Sequence, residues 1–132
     1  MPTAEMTWPS LPSTSGAARR LVRESLQVWH CRGGQDLAEL AVSELVSNAV
    51  RHAPGSDVRV RLDYLGGRLL IEVQDNAPDS VPQVVHATSD EDHGRGMQIL
   101  DRAADGWGVR RFEGHKIVWC VLRLRCDTVQ SD

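Results

Sequence analysis

A carboxylate and a carboxamide lie four residues apart in the stretch Glu44-Leu-Val-Ser-Asn48. On a helix such an i, i+4 pair shares one face. An acid that can take a proton, beside an amide oxygen that can bind a hard cation, is the start of a nucleotide-triphosphate site. Helical Glu and Asn are also ordinary solvated residues, so the pair alone leaves both readings open. Asp75 raises the same question. The row Leu69, Ile71, Val73 continues in phase to Asp75, which puts a carboxylate at the end of the core-facing side of its strand. Such an acid either serves a ligand or caps the turn Asn76-Ala-Pro78. A third feature is Gly94-Arg95-Gly96 at the mouth of a short helix. Glycines there offer free backbone N–H groups and a favourable dipole to phosphate, although a Gly-x-Gly is more often a plain turn.

The elements that must position these residues follow from periodicity. From Asp36 to His52 the residues Leu37, Leu40, Ala41, Leu45, Ala49 and Val50 recur at steps of three and four, the pattern of an amphipathic helix. An earlier helix runs from about Gly16 to Trp29, with Ser13 or Ser15 as its cap. Ala-Pro-Gly at 53 to 55 stops the second helix. Two strands then alternate, Val58 to Tyr64 and Leu69 to Val73, joined by Gly66-Gly67 as a hairpin with one buried face. Pro78 to His93 shows no period, and a loop that long is commonly a functional lid. Within it the Asp90-Glu91-Asp92 run reads as a solvated lid face or as helix N-terminal charge. Met97, Leu100 and Ala104 mark a third helix closing near Gly106. Trp107 to Phe112 and Lys116 to Leu124 form a second hairpin through Gly114, its last strand apolar on both faces as a central strand is. Ala4 to Trp8 is a candidate edge strand. The chain divides into a partly ordered N-terminal segment 1–12, a single domain 13–126 and a tail 127–132.

Bulk properties narrow the classes. The 132 residues are 41% hydrophobic and 25% charged, which suits one globular core. A net charge of -3 argues against a protein built to grip nucleic acid, so a polyphosphate must be held by local donors and a metal. The three cysteines, Cys31, Cys120 and Cys126, have no CxxC spacing, and the odd count argues against a secreted disulfide framework. Cys120 reads as core. The first fifteen residues lack a signal-peptide pattern, and the longest apolar run, Ile117 to Leu122, is too short to span a bilayer. The expectation is a soluble cytoplasmic protein with no membrane contact.

In their order and spacing these features resemble the ATP-binding domain of the GHKL superfamily of histidine kinases, gyrase and heat-shock chaperone ATPases. The nearest resemblance is to the anti-sigma-factor serine kinase branch, among the short stand-alone regulators of actinomycetes, and it covers Gly16 to Leu124. Glu44 to His52 (E-L-V-S-N-A-V-R-H) resembles the N-box. The resemblance implies an α+β, two-layer α/β sandwich of the Bergerat type, a mixed and mostly antiparallel sheet with helices on one face. It implies ATP and Mg²⁺ as ligands, with Asn48 the metal ligand and Glu44 the general base. Asp75 would accept the adenine amino group, Gly94 and Gly96 would cradle phosphates, and Arg95 and Arg51 would add charge. His52 reads as a solvated helix end, and Lys116, in the segment resembling the closing strand, as a surface residue. The usual Asp-x-Gly-x-Gly is here Asp75-Asn-Ala-Pro-Asp79, without either glycine. The function implied is an anti-sigma-factor serine/threonine kinase that phosphorylates an antagonist protein, with a sigma factor and that antagonist as partners and a homodimer as a further expectation. The alternatives are an ATP-responsive binding module without kinase activity and a histidine-kinase-type catalytic fragment.

Overall fold

Alternation along the strands decides the architecture. The computed structural model describes residues 2–79 and 95–127, and of Arg95 the backbone alone. Five strands form one sheet in the order β1-β3-β4-β6-β5. They are β1 (Thr3–Pro9), β3 (Asp57–Leu65), β4 (Arg68–Asp75), β5 (Gly106–Phe112) and β6 (His115–Arg123). Each described pairing in the sheet is antiparallel. The edge strand read at Ala4 to Trp8 is therefore present, and β6 lies between two neighbours, as its two apolar faces imply.

One face of the sheet is the core. Val58, Val60 and Leu62 of β3, Leu69, Ile71 and Val73 of β4, and Val118, Cys120 and Leu122 of β6 are buried there. Helices α1 (Thr14–Val28) and α2 (Gln35–His52) lie over it through Val22, Leu26, Val42, Leu45 and Val46, and α3 (Arg95–Ala103) adds Met97 and Leu100. This is the two-layer α+β arrangement. The opposite face carries exposed ion pairs such as Arg59–Glu5, Arg61–Asp63 and Arg110–Glu72. Pairs of this kind contribute at most about 1 kcal/mol each, so burial on the helical side supplies most of the stability.

The helix starts differ from the sequence reading in informative ways. α1 begins at Thr14, and Ser13 makes no side-chain cap. Instead Thr14 Oγ1 accepts the Leu11 N–H at 3.1 Å and donates to the Pro9 carbonyl at 2.5 Å, tying the helix to the end of β1. α2 starts one residue early, behind Gly34 at φ 99°. A Cβ there would come within 2.9 Å of Leu124 Cδ1, so glycine serves both the left-handed backbone and the close approach.

Two further short strands, β2 (Cys31–Arg32) and β7 (Arg125–Cys126), pair with each other. Cys31 and Cys126 stand opposite one another and form a disulfide across 95 residues of sequence. The cysteine count pointed away from a disulfide framework, and such a distant pairing is set by tertiary structure alone. Cys120 is free and buried, and burial pushes its thiol up to about 12. Among the described residues no helix is long and apolar enough to cross a membrane.

Candidate functional site

Glu44, Asn48 and His52 follow one another at four-residue steps along α2. With a rise of about 1.5 Å per residue, they span about 12 Å of the helix axis. Ala41, Leu45 and Ala49, all buried, press the same stretch of helix onto the core. Asn48 is drawn in with them and is only 5% exposed. Its Oδ1 accepts a hydrogen bond from Arg51 Nη2, while its Nδ2 is buried and has no partner among the described residues. A buried amide donor left in that state costs about 1–3 kcal/mol, which a ligand acceptor would recover. Arg51 is exposed and turned back on Asn48. The amide oxygen thus faces the Arg51 guanidinium.

Glu44 meets the start of α3. A Cβ built on Gly96 would overlap Glu44 Oε1 and fall 2.5 Å from its Cδ. α3 closes on α2 at this point because residue 96 has no side chain. The obstructing atoms are the far end of a flexible side chain, so Gly96→Ala is expected to displace the carboxylate rather than unfold the protein. Thermal unfolding of Gly96→Ala should stay close to wild type, while any phosphoryl transfer dependent on Glu44 falls by about 10-fold or more. A large loss of stability with transfer retained would contradict that assignment.

Asp75 ends β4 on the core side and is 1% exposed, as its phase requires. Its Oδ1 accepts the Ala77 N–H at 2.8 Å, so it also caps the turn that follows. Both expected uses of this residue begin from one carboxylate. Lys116 corrects the surface reading. It is 1% exposed, and its Nζ donates to both oxygens of Asp75 and to the Ala77 carbonyl, each at 2.9 Å. Nearby, Arg111 Nε donates to the Pro78 carbonyl at 2.9 Å. Lys116 is in phase with Val118, Cys120 and Leu122, but what sets it opposite Asp75 is the β4–β6 register, which the sequence alone does not give.

His52 also differs from expectation. Its Nδ1 is buried and has no partner among the described residues. Burial holds the imidazole below its ordinary value of 6.5, the charges of Arg51 and Lys116 add to the effect, and Asp75 opposes it. The folded protein therefore takes up this proton less readily than the unfolded chain. Stability from this source is complete above the unfolded value near 6.5 and declines as pH falls through it toward the folded value. Between about pH 7.5 and about pH 5, wild type should lose more thermal stability than His52→Gln. Parallel pH curves for the two proteins would remove His52 from this account.

The structure thus brings Glu44 to Gly96, sets Asn48 one turn on, and places His52 near the Asp75–Lys116 pair. Gly94, the Arg95 side chain and the Asp90-Glu91-Asp92 run lie outside the described residues. Among the described residues no group of three or more His, Cys, Asp or Glu side chains could hold a metal.

Residues 8–122 match the family model of the histidine kinase-like ATPase domain. No protein with a curated description matches the chain. A solved structure of the RsbU and RsbW domains of Rv1364c from Mycobacterium tuberculosis is similar in fold, with a TM-score of 0.66 at 18% sequence identity. The similarity covers 98% of this chain and 35% of that one, so this chain spans about a third of the solved protein.

Proposed function

Because the chain belongs to the histidine kinase-like ATPase domain family, we propose that it binds Mg-ATP between α2, the end of β4 and the start of α3. We propose further that it transfers a phosphoryl group to a serine or threonine of an antagonist protein, in a cytoplasmic circuit that frees or sequesters a sigma factor. The observation that carries this reading is the single helix face on which Glu44 abuts Gly96 and the buried Asn48 keeps an amide donor without a described partner. The fold shared with a chain containing an RsbW domain supports the same branch.

In this reading each residue has a separate task. Asn48 Oδ1 would hold Mg²⁺, which supplies charge neutralisation for the phosphates. Arg51, exposed and already at that oxygen, would give up the amide and take a phosphate oxygen instead. Glu44 would accept the proton of the attacking hydroxyl, and the Gly96 N–H would face phosphate at the head of α3. Asp75 would accept the amino group of adenine. Catalysis would rest on positioning and charge, as phosphoryl transfer generally does.

An ATP-responsive binding module without transfer is the second reading, favoured by the absent glycines in Asp75-Asn-Ala-Pro-Asp79. Two measurements separate the cases. Titration calorimetry should show Mg-ATP binding, and labelled ATP should mark a serine or threonine of a candidate antagonist. Absence of Mg-ATP binding by folded protein would overturn the nucleotide site. Tight binding with no candidate ever labelled would favour the module.

A further inference from the structure

A buried ion pair is rarely the cheapest way to stabilise a core, because apolar residues of similar volume usually do as well. Its presence at Asp75 and Lys116 therefore calls for another reason. A lysine ammonium has three N–H donors. Here Asp75 Oδ1, Asp75 Oδ2 and the Ala77 carbonyl receive hydrogen bonds from it. Lys116 therefore has no donor left for a ligand. The acceptor capacity is distributed unevenly. Oδ1 takes the Ala77 N–H as well as Lys116, whereas Oδ2 has Lys116 as its one partner among the described residues. An ionised carboxylate oxygen can accept more than one bond, so among the described residues Oδ2 keeps acceptor capacity that nothing uses.

We propose that Lys116 is the positioning residue of a base-recognition site, fixing Asp75 so that Oδ2 accepts the exocyclic amino group of a 6-aminopurine and repels the carbonyl of a 6-oxopurine. The inference rests on the Mg-ATP reading and deepens it. With its own donors spent inside the pair, the ammonium balances the carboxylate without offering a hydrogen bond to an oxo group. It also explains the missing glycines. The Ala77 carbonyl held by Lys116 and the Pro78 carbonyl held by Arg111 pin the start of the loop from the β5–β6 hairpin. Side-chain clamps thereby set a path that glycines set elsewhere through backbone freedom. His52 and Arg51 bring the remaining charge and ring polarity to this end of α2, and neither is hydrogen-bonded to Asp75 among the described contacts.

The test compares the affinities of Mg-ATP and Mg-ITP, which differ at purine position 6. Wild type should prefer ATP by at least about 100-fold. In Lys116→Gln, which keeps two N–H donors but no charge, the preference should fall to about 10-fold or less, and Lys116→Met should take it lower still. Lys116→Arg keeps the charge and should recover much of the preference, a rescue that a merely structural role does not predict. Circular dichroism establishes which variants fold, and Lys116→Gln serves where Lys116→Met does not. If wild type binds ATP and a folded, uncharged variant keeps the wild-type ATP-to-ITP ratio, this inference is overturned alone. If folded wild type binds neither nucleotide, the Mg-ATP reading is overturned and the inference with it.

Discussion

Replacing Glu44 with glutamine is expected to remove phosphoryl transfer while leaving Mg-ATP bound. The substitution keeps the length and shape of the side chain, and so its packing against Gly96, where there is no room for a Cβ. What it removes is the ability to take a proton. General-base catalysis by a positioned carboxylate is worth on the order of 10²–10⁴ in rate, so the loss should be of that size in single-turnover transfer from labelled ATP. Because Glu44 Oε2 is buried, thermal unfolding of Glu44→Gln should be measured beside transfer, so that a loss of rate is read only from folded protein. Transfer within about threefold of wild type would show that some other group accepts the proton. Asn48→Ala provides the contrast. It should weaken the Mg²⁺ dependence of binding whether or not the protein transfers phosphate.

The largest effect on folding is expected at Asp75. Asp75→Ala leaves the Lys116 ammonium 1% exposed with its counter-charge gone and, among the described residues, only the Ala77 carbonyl to receive it. Breaking one side of a buried ion pair costs about 3–5 kcal/mol. Against a total of about 5–15 kcal/mol for a domain, that is a large fraction, and it should lower the melting temperature by on the order of 10 °C or more. The double variant Asp75→Leu with Lys116→Met should recover much of the loss, since an apolar pair can replace a buried ionic one at little cost. Chemical denaturation of the three proteins measures this directly. A loss below about 1 kcal/mol for the single variant would mean that water or another anion reaches Lys116. The comparison also separates folding from recognition, because the double variant should fold well and bind adenine nucleotides poorly.

These two residues show where the sequence was readable and where it was not. Asp75 was legible because its strand alternates: Leu69, Ile71 and Val73 fix the phase, and the acid inherits it. Lys116 was hidden because β6 is apolar on both faces, so no alternation says which way residue 116 points. Only the β4–β6 register, a non-local fact, sets it opposite Asp75. α2 was legible from its three- and four-residue steps, including the shared face of Glu44 and Asn48. The burial of the His52 Nδ1 was not, because a helix end reads as solvated until the neighbouring strand ends are in place. Glu44 and Gly96 are likewise 52 residues apart in sequence, and their contact depends on how α3 docks on α2. The Cys31–Cys126 bridge belongs to the same class, being formed by elements at opposite ends of the domain.

The length of α2 between His52 and Glu44 has a consequence of its own. If a base is held beside Asp75, near the His52 end of α2, Glu44 lies about 12 Å from that end along the axis, and the helix would act as a ruler beside the ligand. A nucleoside triphosphate would then be felt at both marks, whereas a diphosphate anchored by the same base would stop short of Glu44. The same protein would then hold ATP and ADP by a common handle and tell them apart only at the far mark, where Gly96 of α3 meets Glu44 of α2. Phosphate count would be reported as a length, at the seam between two helices.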